Sequence, residues 1–594
     1  MSISANYPAL RPALLLDFAN SQQLDPRVTF SRSTTAPYYD GKTSVLAEQN
    51  LTVQSQDWTQ SVWIKTGLTV TANNWVAPDG TTTGTLLTST TSTAGSTGTY
   101  QSITFAIGST ISFYATAGTA NFIGALVGGV GCYANFNLGT GAVASSTGCT
   151  PSMVSIGGGT YRCIIANTSI SGTVIILTGK DADPAASPWV NGVWTSGSTV
   201  KVWGFQVENR SSPTAYNPTT TSAITNYIPQ LLTAPINAPR FDFNPTTGES
   251  LGLLIEQSST NLLTYSQDFS NAVWTKSNVT ITTGANIAPD GTQTANIIQV
   301  TTTATTSVLQ SSSGSGSASG NTFSTYVKIG NQANAFNFFA LYNITTATTL
   351  ISGTLNFSTG VFSYSVGSTG ASVVSVGNGW WRLSLTATTG ISAGNTLSCY
   401  VGAGGNSQTA GNFFYIWGAQ LEALPLATSY IPTTSAQVTR ASDNASMTGT
   451  NFSSWYNISE GTIYSETSAY ALNGTNWCIS DGTSANRILS GFDATYNLFV
   501  SASGVTQAQI TVGSFTANTY GKVAGAYKTN DFAVSLNASL AGTDTLGVVP
   551  AVNQLQIGGG AGNASGSVLN GRIKKISYYP IRVTNTQLQS LTGS

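Results

Sequence analysis

Histidine is absent from the 594 residues. With it go the side chain most used as a general base near neutral pH, the commonest metal ligand, and every Ser-His-Asp or Cys-His arrangement. Charge is scarce. Against 21 Lys and Arg stand 22 Asp and Glu, a net charge of −1 and a charged fraction of 7%, where an ordinary soluble domain carries roughly 25%. So little charge removes the basic footprint of a nucleic-acid or anionic-membrane partner. No apolar run approaches the roughly 18 residues of a membrane-crossing helix, so no membrane insertion is expected. The opening MSISANYPALRPALLLDFA has only a three-Leu core with an acid directly after it, and does not read as a secretory signal. Five cysteines, Cys132, Cys149, Cys163, Cys399 and Cys478, are odd in number and form no C-x-x-C pair. Neither a disulfide framework nor a zinc site is expected, nor any cofactor; buried small hydrophobes are the better reading. Long runs of good helix formers are missing too, and the one helix expected is Asn585 to Leu591.

What is present is apolar and hydroxylic. Hydrophobic residues make up 41%, which argues against disorder. Ser, Thr, Asn and Gly fill the chain beside 12 Trp, 24 Tyr and 23 Phe. β-branched and aromatic residues pack on pleated sheets, while Gly and Asn turn the chain. At roughly 150 residues per domain, about four units are expected.

An internal duplication organises the chain. NLTVQSQDWTQSVWIKTGLTVTANNWVAPDGTTTG, from Asn50, parallels NLLTYSQDFSNAVWTKSNVTITTGANIAPDGTQTA, from Asn261. Asn50 and Asn261, Asp57 and Asp268, Trp63 and Trp274, and Pro78 and Pro289 all differ by 211. SIGGGTYRCII (from Ser155) and SVGNGWWRLSL (from Ser375) match at an offset of 220, then VWGFQVENRSSPTAYNPTT and IWGAQLEALPLATSYIPTT at 214. Matches in register mark strands and changes of offset mark loops. Alternating runs such as TISFYATA, TFSTYVKI and VFSYSV fit strands with one face buried. The reading is all-β: two tandem jelly-roll sandwiches, 49–222 and 260–438, then a third strand-rich region, 439–594. Segments 1–48 and 223–259 lie outside these modules, and 1–48 and 229–259 are denser in Arg, Asp, Glu and Pro.

Four strings carry a resemblance: LDPRVTFSRSTTAPYYDG, APRFDFNPTTGESLGLLIEQSSTNLLTYSQDF, WGAQLEALPLATSYIPTT and NGRIKKISYYPIRVTNTQLQSL. They resemble fibre, head-spike and structural proteins of tailed bacteriophages. The first two look like a head-spike or fibre motif whose halves normally sit together; here the first module separates them. The resemblance implies that module one is inserted and that 1–48 and 229–259 meet in space as a docking unit for other virion proteins. The repeated module looks like a phage carbohydrate-binding jelly roll, and 439–594 like a concanavalin A-like (laminin G-like) sandwich, on GTIYSETSAY, GKVAGAYKTNDFAVSLNASLAGTD and YYPIRVTNTQL. By this resemblance the chain is expected to be a non-enzymatic virion surface protein, in head or tail, made in the bacterial cytoplasm, adhering to host-surface glycans and assembled as a homotrimer. The alternatives are a purely structural capsid-decoration protein and a polysaccharide depolymerase.

A depolymerase needs two facing carboxylates. Glu460 and Glu466 are six residues apart among ordinary strand residues, and the glycine-rich GGGAGNASGS has neither the Lys of a phosphate loop nor a following helix. Sugar binding needs aromatic faces beside amides or carboxylates. Trp63 and Trp274, and Trp203 and Trp417, recur in register and read as sandwich packing; Asp57, Asp268 and the two Pro-Asp-Gly turns read as turn or cap devices. One stretch stands apart. From Arg162 to Trp203 module one is six residues longer than module two from Arg382 to Trp417. The surplus falls near GKDADPAASPWVNGVWTSG. Its Trp189 and Trp194, with Asp181 and Asp183 as hydroxyl partners, are the candidate glycan contacts; the alternative is that both indoles fold back onto the sandwich. Trp380 and Trp381 face opposite ways on a strand, and Trp380 is a further candidate.

Overall fold

The run TISFYATA forms the strand Thr110–Ala117, in which Ile111, Phe113 and Ala115 are fully buried while Tyr114 and Thr116 look outward. The same two-residue period recurs in other strands, as in Gly98–Phe105. The computed structural model describes residues 11–593 except 96, 129–130, 184, 189–191, 304–305, 332–337, 403–408, 471–472, 494, 515 and 564–566. The protein is all-β. Its α-helices among the described residues are Phe18–Ser21, Thr450–Ser453 and the expected C-terminal one, Asn585–Gly593.

The chain divides into two units. One is Val45–Ile228 with Ala285–Ile287 and contains module one; the other holds the rest. The chain leaves and re-enters the larger unit along the strands Ala36–Asn50 and Ile224–Ala234, which pair with each other.

Module one is two six-stranded antiparallel sheets. The first runs, in spatial order, Ala142–Thr147, Tyr133–Asn137, Phe122–Val127, Gly172–Lys180, Gly98–Phe105 and Ile64–Thr66; the second runs Thr150–Gly157, Thr160–Ala166, Thr110–Ala117, Thr199–Glu208, Gly84–Ser89 and Leu68–Trp75. Module two repeats both orders strand for strand, starting from Thr275–Ser277 and Val279–Asn286. The repeated tryptophans are core. Trp63 stacks on Trp58 at 4.5 Å in module one, and Trp274 meets Phe269 at 4.6 Å in module two, each pairing contributing about 0.5–1.5 kcal/mol beyond area burial.

The remaining segments behave differently from the expectation of a docking unit set apart from the last region. Leu14–Asp17 pairs with Lys575–Tyr578, Ser250–Ile255 pairs with Gly571–Ile573, and Arg240–Phe243 adds beyond it. Thr29–Ser31 pairs with Asn444–Ser446 on the facing sheet. Leu14, Leu16, Phe18, Leu253 and Ile255 share one core with Ile463, Trp477, Ile573 and Tyr578. Residues 1–48 and 229–259 do meet, but as strands that complete the C-terminal sandwich. The reason is physical: LLLDF and LGLLIE are short apolar runs that cannot bury themselves, and the last long strand, Gly571–Tyr579, offers them an unpaired edge.

An ion cluster locks these pieces. Arg32 donates to Asp443 (3.0 Å) and to the carbonyls of Pro235 and Thr34, both 2.8 Å. Arg240 reaches Asp443 at 2.5 Å and Glu256 at 2.8 Å. Arg440 lies 3.6 Å from Glu256. All five side chains are buried. Such burial is tolerable only when nearly every lone pair and N–H is matched. Ser429 supplies its N–H and hydroxyl to Glu256 at 2.8 and 2.7 Å.

Candidate functional site

The loop singled out by length difference lies over the outer face of module one's first sheet. Asn135 points out of that sheet and donates to Ala186 O and to Ser145 Oγ, both at 2.9 Å. Ser145 Oγ in turn donates to Asp183 at 2.8 Å. Pro188 sits on Gly124, where any Cβ would come within 2.3 Å of the proline ring. Lys180, also outward, donates to Gly192 O at 3.3 Å, and burial brings its ammonium down to about 8, with Asp181 opposing that fall. Asp181 accepts from the N–H and hydroxyl of Thr195 at 2.8 and 2.5 Å. Both acids therefore fix the loop.

Trp194 is 1% exposed and packs in the core over Gly179, whose missing side chain makes room for the indole. It offers no free face to a sugar, and that expectation is corrected: the loop folds back and delivers Trp194 to the sandwich end. Trp189 lies outside the described residues. Trp380 is fully buried, so it too is corrected. Its neighbour Trp381 is the half-buried member of the pair, packed against the core with Nε1 donating to Phe357 O at 2.7 Å. The alternation holds, with the faces reversed.

Sequence reasoning missed the outward tyrosines of the same sheet in module two. Phe339 and Leu341 point into the core, which sends Tyr342 out; Leu397, Cys399 and Val401 do the same for Tyr400. Cross-strand register sets Tyr342 opposite Ser398 and Tyr400 opposite Leu309. The two rings meet edge to face, centroids 6.1 Å apart. Ser311 and Ser398 share a hydroxyl hydrogen bond beside them. Burial, then the neighbouring Tyr342, pushes the Tyr400 phenol above its ordinary value, so it stays a neutral donor and acceptor. In module one the corresponding sheet turns Tyr100 and Tyr133 outward, with Ile176 and Leu126 on the strands between. Three strand spacings place them roughly 14 Å apart.

The second sheet of each module carries a matched cluster. Trp203 donates to Thr83 (2.9 Å), which meets Thr81 (2.8 Å), which donates to Asp79 (2.7 Å). Trp417, Thr294, Thr292 and Asp290 repeat the relay at 3.0, 2.7 and 2.7 Å. Tyr216 and Tyr430 close on the two indoles, each at 4.7 Å.

Glu460 and Glu466 share the strand Glu460–Ala469. Six residues of strand separate them by about 20 Å, beyond the roughly 5–9.5 Å of a glycosidase pair. Glu460 is engaged by Arg582 N–H at 3.1 Å.

No family model and no curated protein matches the chain. Among solved structures it is similar to the Ruminococcus gnavus IT-sialidase CBM40 bound to α2,3-sialyllactose, with 15% identity over 24% of this chain and 88% of that one, TM-score 0.22. It is also similar to mouse laminin α1 domains LG4-5 (9% identity, 48% and 89% covered, TM-score 0.19). A third is the CBM22-1-CBM22-2 tandem of Paenibacillus barcinonensis Xyn10C (12% identity, 64% and 98% covered, TM-score 0.18).

Proposed function

We propose that the protein is a non-enzymatic adhesin of a tailed-phage particle that binds host-surface glycans through the tyrosine-bearing sheet faces of its two modules. The observation that carries this is the Tyr342–Tyr400 pair. Two half-exposed phenols stand beside serine hydroxyls on a face with almost no charge, which suits C–H stacking and hydroxyl pairing with a sugar. Each contact is weak, on the order of 1 kcal/mol. Several copies on a particle, assembled as homotrimers, bind through avidity, which multiplies affinity by about 10²–10⁴. Attachment to the virion rests on the resemblance of 1–48 and 229–259 to fibre and spike motifs. Leu15 and Ile236, exposed in those segments, are available to another virion protein.

The test is a glycan array probed with the intact protein as a multimer, alongside an assay for new reducing ends on the glycans it retains. Retention without cleavage is expected. Cleavage would make it a depolymerase, and no retention would leave a decoration protein. The burial of Trp194 and Trp380 favours that second reading, a sandwich array that extends and protects the particle without a ligand.

A further inference from the structure

On module two's other sheet, the repeated cluster becomes the floor of a cavity. Trp417 follows the core residues Phe414 and Ile416 in the strand Phe413–Glu422, and an irregularity at Gly418 (φ 64°) then returns Ala419 and Leu421 to the core, so its indole leaves the opposite side of the sandwich from Tyr342 and Tyr400. Around it a space of about 290 Å³ opens, at the lower end of the roughly 300–1,000 Å³ of small-molecule sites. Trp417, Tyr430 and Ile431 are buried in its wall. Its rim comes from three segments outside the jelly roll's two sheets: Thr34, Thr35 and Pro37 on one side, Leu231 and Thr233 on another, Val438 and Thr439 on a third.

The polar groups around this space are those a sugar pairs with. The Gln267 amide lines the space beside the Tyr430 phenol, which shares a hydrogen bond with the Ser266 hydroxyl at 2.7 Å. Asp290 uses Oδ1 for the N–H and hydroxyl of Thr292, at 2.9 and 2.7 Å; among the described residues its Oδ2 has no hydrogen-bond partner. Threonine hydroxyls ring the mouth. The one cation in the lining, Arg440, is already committed, donating to Gln257 O at 2.7 Å and Ala441 O at 3.1 Å and facing Glu256 at 3.6 Å. Asp290 is thus the uncompensated charge of the cavity, and it disfavours an anionic ligand.

We infer that this cavity binds a single neutral hexopyranose, apart from the glycan face on the other sheet. An aromatic wall and aliphatic Ile431 and Pro37 meet the C–H face of the ring, while Asp290, Gln267 and the threonines take its hydroxyls. With one carboxylate in the lining the site holds its ligand and does not hydrolyse it, since glycosidic cleavage takes two. Module one repeats Trp203, Tyr216, Gln56 and Asp79, so the floor is a property of the module. The rim comes from segments outside the module's two sheets.

The intact protein is titrated with glucose, galactose, mannose and N-acetylglucosamine, with glucuronate as the charged comparator, followed by ligand-observed NMR and calorimetry. At least one neutral hexose is expected to saturate with millimolar affinity, and glucuronate to bind at least about tenfold more weakly. Thr233→Trp, a change at an exposed rim position, closes the mouth and should weaken binding by about tenfold or more. In the double variant Tyr342→Ala and Tyr400→Ala, which removes the sheet-face contacts, saturable hexose binding should persist, which separates this site from the sheet face. The inference is overturned if no neutral hexose binds saturably, if Thr233→Trp binds as well as the parent, or if glucuronate is preferred. Loss of the hexose signal in the double tyrosine variant also overturns it. An unchanged thermal transition in Thr233→Trp establishes that its loss of binding is local.

Discussion

Arg240 and Asp443 stand 203 residues apart in sequence and meet at 2.5 Å, both side chains wholly removed from solvent. Asp443 also holds Arg32, so one carboxylate ties the N-terminal segment, the middle segment and the entry to the last region.

Removing that carboxylate leaves two buried guanidiniums short of a partner. Asp443→Ala should destabilise the C-terminal sandwich by about 3–5 kcal/mol. Urea unfolding followed by tryptophan fluorescence should show an early transition for the sandwich with module one little changed. A transition at the parental midpoint would contradict the interlock.

Acid should loosen the same cluster. Burial pushes the Glu256 carboxyl up, but the guanidiniums of Arg440 and Arg240 and the Ser429 donors more than offset this, holding it at about 2 against an ordinary 4.5. A depressed carboxylate stabilises the fold above its unfolded value and ceases to as pH falls through its folded one. The contribution is on the order of 3 kcal/mol. Urea midpoints should hold steady above pH 4.5 and fall between there and about 2. Glu256→Gln should be less stable at neutral pH and should flatten that slope.

The two buried candidate tryptophans should report packing. Trp194→Ala and Trp380→Ala should each cost about 3–5 kcal/mol, lowering the midpoint of their own module, while protein that remains folded keeps its glycan affinity. Lost affinity at unchanged stability would restore the sequence expectation.

Tyr342→Ala and Tyr400→Ala should do the opposite. Both side chains are half-exposed, so stability changes little. Each lost stack, at about 1 kcal/mol, weakens glycan binding about fivefold. Surface-immobilised glycan and purified protein suffice to measure it. Equal binding by the parent and both variants would remove this face as the site.

Truncation at residue 48 tests the architecture. It deletes Leu14, Leu16 and Phe18 from a shared core and takes Arg32 from Asp443. The expected product has an incompletely folded C-terminal sandwich, seen as premature proteolysis after residue 439, with module two still resistant. A fully protease-resistant truncated protein would show that the strand Leu14–Asp17 is dispensable.

The duplication was readable because strands preserve register: Asn50 and Asn261 bond matching carbonyls, Phe205 O and Ala419 O, at 3.0 Å each. Module folds came out of period-two runs. Strand complementation was not readable, because Leu14–Asp17 is four residues long and finds its partner at the far end of the chain. Local pattern says that such a run is a strand and nothing about what it joins. Tyr342 and Tyr400 did leave a signal, FFALYN and LSCYV, in which alternation alone sends each tyrosine outward. Tryptophan content drew attention elsewhere, to indoles whose size makes burial the stronger force.

The pairing of Leu14–Asp17 with Lys575–Tyr578 also sets a timetable. During synthesis the leading strand emerges more than five hundred residues before its partner, a wait of roughly 30–110 s at about 5–20 residues per second. Both jelly rolls are contiguous and can close in that interval. Meanwhile Leu14, Leu16 and Phe18 stay exposed on the nascent chain, a hazard where ribosomes crowd on one message.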